Sequence, residues 1–382
     1  MNTRLRQFIL AVSVVSFAAV GCVFSQDIPA AQPKNKIAKG WKTNVDKRSI
    51  DLDELMSGGP PKDGIPAIDK PKFVAISDAA NWLKSNEPVI SLKVGDEAKA
   101  YPLQILMWHE IVNDEISGRP VTVTFCPLCY TAIAFDRQLD GKVLDFGVSG
   151  MLRHSDMVMY DRQTESWWQQ ISGEAIVGDL NGKILKQFPS QIVSFGQFMK
   201  AFPKGLVLSR ETGFNRQYGT NPYKGYDDLA KTPFLFRGKP DQRLLPMEKV
   251  IAVEFGRISK AYRHAITRRR RVLADRIAST DIVIFHADGA ASALDDGQIS
   301  NSKSIGSTGV FVPEIDGKKL AFVYDSDEFV DEQTKSRWNI FGLAIDGKLK
   351  GKQLKQIRSG DYFAFAWLVF KPSTEVYTEQ IK

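Results

Sequence analysis

The chain resembles itself. Residues 89–101, VISLKVGDEAKAY, align without a gap to residues 250–262, VIAVEFGRISKAY, and share Val, Ile, Gly, Lys, Ala and Tyr in order. DRQTESWW (161–168) matches DEQTKSRW (331–338) at five of eight positions, and GEAIVGDLNGKILKQ (173–187) matches GLAIDGKLKGKQLKQ (342–356) at ten of fifteen. Three blocks in one order, offset by 161 to 170 residues, predict a tandem duplication, since self-similarity at a long fixed offset marks a structural unit used more than once. A chain of 382 residues is also too long for one ordinary core. The division that follows is a leader at 1–25, an extended arm at 26–69, repeat domains at 70–205 and 245–382, and an inter-repeat loop at 206–244.

Within each repeat the local pattern is that of an α+β fold dominated by strands. VISLKV and AKAYPL alternate as strands around a Gly95-Asp96 turn, because side chains of a strand alternate between faces. LQILMWHEIVND (103–114) has apolar residues at helical spacing. VTVTF (121–125) reads as a strand, and hairpins are predicted around Asp140-Gly141 and Asn181-Gly182. Two related β-rich domains with short helices, packed about a pseudo-two-fold, is the expected architecture.

Arg4 and Arg6 precede an apolar run from Phe8 to Val20. The run is too short for a permanent membrane span, and its basic start fits a secretory signal. Val23-Phe24-Ser25 offers a site for ordinary cleavage, whereas Ala19-Val20-Gly21-Cys22 resembles a lipoprotein box that would put a lipid anchor on Cys22. Either way the expectation is an exported protein, periplasmic or extracellular. Arg268 to Arg271 form the most conspicuous basic run. Export argues against a nucleic-acid partner, and the run reads as a solvated helix face.

Cys126 and Cys129, in FCPLCY, are the only cysteines outside the leader. A Cys-x-x-Cys lets two thiolates meet on one metal ion. His109 is the nearest upstream imidazole and His154 the nearest downstream, with Met151, Met157 and Met159 around the latter. Thiolate, thioether and imidazole together suit copper, with zinc next. Oxidising compartments favour a Cys126–Cys129 disulfide as the alternative. A thiol–disulfide oxidoreductase is the weaker third reading, since the pair ends a strand rather than opening a helix whose dipole would lower a thiol pKa. In repeat 2, Phe285-His286 falls on Phe125-Cys126 and Gly289 falls near Cys129, so the shared scaffold does not need the thiols.

WHEIVND, FCPLCYTAIAFDR, DFGVSGMLRHSDMVMYDRQTESWWQQ and LSRETGFNRQYGTNPYKGYD together resemble the bacterial and archaeal domain-of-unknown-function 3179 family, over nearly all of the chain after the leader and arm. The family name implies no activity.

The last of these blocks lies in the inter-repeat loop. Residues 209–228 have no apolar periodicity, yet carry Phe214, Tyr218, Tyr223 and Tyr226 with Arg210, Glu211, Arg216 and Asn221. This is the composition of a structured recognition loop, and the two arginines suit a carboxylate or phosphate. DRQTESWW recurs with its Asp, Thr, Ser and Trp in both repeats and reads as a side-chain-bonded turn with a core tryptophan. No nucleophile elbow, phosphate loop, His-Glu-x-x-His or dinucleotide fingerprint occurs. The expectation is a metal-binding or redox accessory protein centred on Cys126 and Cys129. The alternative is a non-enzymatic protein whose 209–228 loop takes a small-molecule or protein ligand.

Overall fold

The structure is a computed structural model that describes residues 37–379; the leader, Cys22 and the start of the arm lie outside the described residues. It is β-dominated, with 41% strand and 11% helix, and its strands form several separate sheets. In the first half, Pro88–Val94 and Glu97–Pro102 form a hairpin flanked by Ser190–Ser194 on one side and Leu206–Leu208 on the other. A second sheet runs Gln187–Phe188, Thr131–Asp136, Arg119–Cys126, Ile111–Ile116. A third contains Phe146–Arg153, Asp156–Asp161, Trp167–Gln169 and Glu174–Val177.

The second half uses the same neighbours. Lys249–Phe255 and Ile258–Arg263 pair between Ser359–Phe363 and Glu375–Val376, and Val272–Ile277, Thr280–Ala287, Ser307–Val312 and Lys355–Gln356 form the next sheet. The Lys and Tyr of the repeated KAY have a physical role in both places. Lys99 Nζ and Tyr101 Oη bond Asp114 at 2.9 and 2.7 Å. Lys260 Nζ and Tyr262 Oη bond Asp275 at 2.9 and 2.8 Å. Burying a lysine is tolerable only when its charge is paired and hydrogen-bonded. The repeated turn is present as well: Trp168 Nε1 donates to Asp161 at 2.9 Å and Trp338 Nε1 to Asp331 at 3.1 Å.

Two local expectations change. The helix predicted over 103–114 is Leu103–His109 only. Glu110 takes a left-handed φ of 58°, and the β-branched Ile111-Val112 continue as a strand. In the second half, Thr280–Ala287 pairs with Ser307–Val312 and residues 288–306 loop out between the two strands, so Gly289 does not stand in a short reversal like the one that carries Cys129. In ladder register the second half is one residue off the expected alignment: His286 takes the position of Phe125, and Ala287, facing Ser307, that of Cys126, facing Thr131.

From residue 37 the arm is docked against the first half. Trp41 packs edge-on against Tyr160 and Trp167, Lys62 pairs with Glu165 at 2.8 Å, and Leu55–Ser57 extends the sheet beside Phe146–Arg153. The two halves share core. One buried cluster contains Phe125, Cys126 and Trp168 together with Phe363 and Trp367, and another joins Val89 and Phe195 to Phe285 and Phe311. Each such side chain contributes on the order of 2 kcal/mol relative to exposure, so the halves stabilise one another. No helix among the described residues is long and apolar enough to cross a membrane.

Candidate metal centre

Cys126 closes the Arg119–Cys126 strand, and the chain reverses through Pro127 to Tyr130 into Thr131–Asp136. The reversal is fixed by Cys129 N–H donating to Cys126 O and Tyr130 N–H to Pro127 O, both at 3.3 Å, with Tyr130 at φ 56°. Both thiols turn inward, Cys126 being 1% and Cys129 0% exposed, and both are free.

The third group is one the sequence reading did not select. His154 and Ser155, at φ 50° and 71°, form the two-residue turn between Phe146–Arg153 and Asp156–Asp161, which needs left-handed residues. That turn delivers Asp156 to the thiols. Ligand atoms of Cys126, Cys129 and Asp156 lie within 4.8 Å of one another, and the Cys126 thiol reaches Ser155 O at 3.8 Å. Asp156 is fully buried; its Oδ2 accepts from Gln169 Nε2 at 2.6 Å and from Ile171 N–H at 3.0 Å. Oδ1 has no hydrogen bond of good geometry, although the Cys129 thiol and the Met157 amide face the carboxyl. A buried carboxylate oxygen without a good hydrogen bond is costly unless a proton or cation meets it. Burial pushes the Asp156 carboxyl up to about 7 despite those hydrogen bonds. The Cys129 thiol is raised well above the ordinary range, by burial first and then by Cys126 and Asp156.

A roof from the inter-repeat loop and the second half covers the centre. Tyr226 Oη donates to Leu128 O at 3.2 Å, Phe363 N–H donates to Cys129 O at 3.0 Å, and Lys249 Nζ lies 3.9 Å from the centre of the Tyr130 ring. Burial, together with the charges of Glu110 and Cys126, raises the Tyr223 phenol. Asp227, next to Tyr226, is buried between Lys249 at 3.4 Å and Lys303 at 3.1 Å. Tyr223, Tyr226 and the Cys-x-x-Cys, read separately in the sequence, therefore meet in one place.

The two histidines stand elsewhere. His109 Nδ1–H donates to Pro66 O at 2.7 Å, so its Nε2 accepts from Tyr218 Oη at 2.6 Å, and Tyr218 in turn contacts Thr212 Oγ1 at 2.6 Å. Both ring nitrogens are used. His154 Nε2 faces Glu54 at 3.6 Å, with its ring against Phe236 and Phe370. Met157 and Met159 are buried in the same core as the thiols, whereas Met151 packs in the cluster around Trp167.

The rest of the loop is mostly bonded to the body of the protein. Arg210 bonds Gln104 Oε1 at 2.9 Å and stacks on Trp82 at 4.7 Å; Glu211 pairs with Lys72 at 3.2 Å. Asn221 Nδ2 donates to Asp296 O at 3.1 Å. Phe214 is exposed and packs on His109, and beside them Arg216 has a buried Nε with no hydrogen-bond partner. The arginine run is paired, with two carboxylates against its four charges: Arg268 and Arg271 pair with Asp288, and Arg269 and Arg270 with Glu379.

Asp156 was findable in one respect. It opens DMVMYD, every residue of which is buried, and an acid inside an apolar run needs a partner. No curated protein and no solved structure matches the chain. The family model described as Protein of unknown function (DUF3179) matches residues 62–374, and the chain, matched over most of its length, belongs to that family.

Proposed function

We propose that the protein is an exported metal-binding accessory protein whose centre is Cys126, Cys129 and Asp156. The observation that carries this reading is the Asp156 Oδ1 without a good hydrogen bond in a fully buried cluster of three convergent ligand atoms. Two thiolates and a carboxylate oxygen form a borderline donor set, which favours zinc; copper, suggested by thiolate, thioether and imidazole, comes second. With both thiols buried, a partner's disulfide has no direct access, which weighs against a thiol oxidoreductase. Export rests on the leader sequence. The matched order of sheet neighbours in the two halves and the paired Lys–Tyr–Asp and Asp–Trp contacts support a tandem duplication about a pseudo-two-fold, with repeats at 70–205 and 245–382.

The test is metal content and free-thiol count on protein purified without chelator and without an affinity-tag metal. About one equivalent of zinc or copper, lost in Cys126→Ser and Asp156→Asn, is the expected result. No metal with no free thiol would replace this reading by the disulfide one. A second reading, ligand binding by the 209–228 loop, is favoured only by exposed Phe214 beside the unpartnered Nε of Arg216. It expects a small carboxylate or phosphate ligand whose binding is lost in Arg216→Ala and retained in Cys126→Ser.

A further inference from the structure

A cavity of about 210 Å³ lies at the seam between the two halves. Its inner wall is shared with the thiol centre. Ile171 lines it and donates its N–H to Asp156 Oδ2 at 3.0 Å; Tyr362 lines it one residue before Phe363, whose N–H donates to Cys129 O at 3.0 Å. Tyr362 and Trp367, both buried, lie ring against ring at 4.7 Å and form an aromatic floor. Among the described residues the Tyr362 hydroxyl makes no hydrogen bond. The charged groups form two sets. From the second half, Glu254 accepts from Arg358 Nη2 at 2.8 Å and from Lys371 Nζ at 2.5 Å. Two cations share one carboxylate there, and Arg358 keeps further donors free. From the first half comes Glu174, whose carboxylate has no ion pair or hydrogen bond among the described residues.

The repeat supplies a matched cleft with a different lining. About 380 Å³ lies between Lys93 and Phe202 of the first half and Phe341 and Lys355 of the second. In the repeat alignment Lys93 matches Glu254, Pro189 matches Arg358 and Phe341 matches Ser172. Phe202 and Lys371 cap the corresponding helices, Phe195–Ala201 and Ala364–Phe370, at φ −130° and −132°. In the matched cleft Phe202 and Phe341 meet at 4.8 Å, and no carboxylate lines the space. The fold thus accepts Lys, Pro and two Phe at these positions and does not call for the Arg358–Glu254–Lys371 triad. Partly exposed ion pairs add little to stability, so a structural need does not account for this set.

We propose that the cavity binds a small zwitterion of the α-amino acid class, with its carboxylate on Arg358 and Lys371, its ammonium on Glu174 and its side chain over Tyr362 and Trp367. A guanidinium fork matches a carboxylate, and a few convergent polar groups around an apolar floor at a seam between domains are the usual form of a small-molecule site. The volume is well beyond the seat of one water. The site does not depend on the metal reading.

The experiment screens the twenty common L-amino acids singly against the chelator-stripped full chain by ligand-observed NMR. The best binder then goes to calorimetry beside two analogues, one lacking the amino group and one lacking the carboxylate. Wild type is expected to take one equivalent of the amino acid, with each analogue at least ~10-fold weaker, as loss of a charged hydrogen bond implies. Arg358→Gln should weaken the amino acid by a similar factor. Glu174→Gln should reduce the amino acid to the level of its amine-free analogue and leave that analogue unchanged. The pair Ser172→Phe and Lys371→Phe should bring two rings together across the cavity, as Phe341 and Phe202 do, and abolish binding. Should that pair fail to fold, the substitutions at Arg358 and Glu174, both only partly buried, carry the test. No amino acid bound to wild type, equal affinity for the amine-free analogue, or binding that survives in the folded phenylalanine pair would each overturn the proposal. Binding unchanged in Cys126→Ser would show that the site stands whatever becomes of the metal centre.

Discussion

Asp227 is the point at which the roof over the thiols can be unlocked. Its carboxylate is buried between Lys249 and Lys303 and receives the hydroxyl of Ser292. Burial works against its charge, yet the two lysines and Ser292 hold it below the usual range; for Lys249 burial wins over pairing and brings the ammonium down to about 8. Asp227→Asn keeps the shape and removes the charge, stranding Lys249 against the Tyr130 ring. Breaking one side of a buried ion pair destabilises by roughly 3 kcal/mol. For a chain of this size that lowers Tm by about 4 °C. If the loss falls on local opening of the loop, the open population rises by about 100-fold. The assay is the rate of thiol labelling in a Cys22→Ser, metal-free background, where Cys126 and Cys129 react only when uncovered. Asp227→Asn should label about 100-fold faster, and adding Lys249→Met should restore most of the protection, because a stem without its charge can rest on the same ring. A variant that loses the expected stability but labels at the wild-type rate would refute the idea that this segment covers the centre.

Two further predictions concern the scaffold. His286 is fully buried, and burial, then the charges of His264 and Arg271, lower it to about 3 against its ordinary 6.5. The unfolded chain then binds the extra proton, so its contribution to stability is full above pH 6.5 and declines by up to ~4 kcal/mol as pH falls toward 3. Urea midpoints from pH 7.5 to 4 should show a shallower slope in His286→Asn than in wild type. Gly150 has φ +77°, and a Cβ there would lie 2.1 Å from the Pro60 carbonyl oxygen. Gly150→Ala should destabilise by about 3 kcal/mol or more and expose the 58–64 segment to limited proteolysis; an unchanged Tm and digestion pattern would count against the docked arm.

What could be read in the sequence was what occurs in both halves. Lys99 and Tyr101 recur as Lys260 and Tyr262 because each pair satisfies a buried aspartate, and Asp161 recurs as Asp331 because each orients a core tryptophan. Side chains tied to the backbone plan repeat with it. The centre is different, since Asp156 reaches it from a separate hairpin. Nothing in the spacing from Cys126 reveals which distant turn will fold back upon it. His109 misled for the same reason: its nitrogens are taken by Pro66 and Tyr218, 43 and 109 residues away, in segments with no periodic pattern. The looped-out residues 288–306 likewise break the alignment that local similarity suggests.

The hydrogen bond from Phe363 N–H to Cys129 O has a consequence for assembly. During synthesis the thiol turn leaves the ribosome long before residue 363 does, and for that interval it lacks one of its fixing contacts and part of its cover. Closure of the centre therefore reports that the chain has been made past residue 363. A truncated product would retain Cys126 and Cys129 and lose the shelter around them, so its thiols would stay open to oxidants and competing metals.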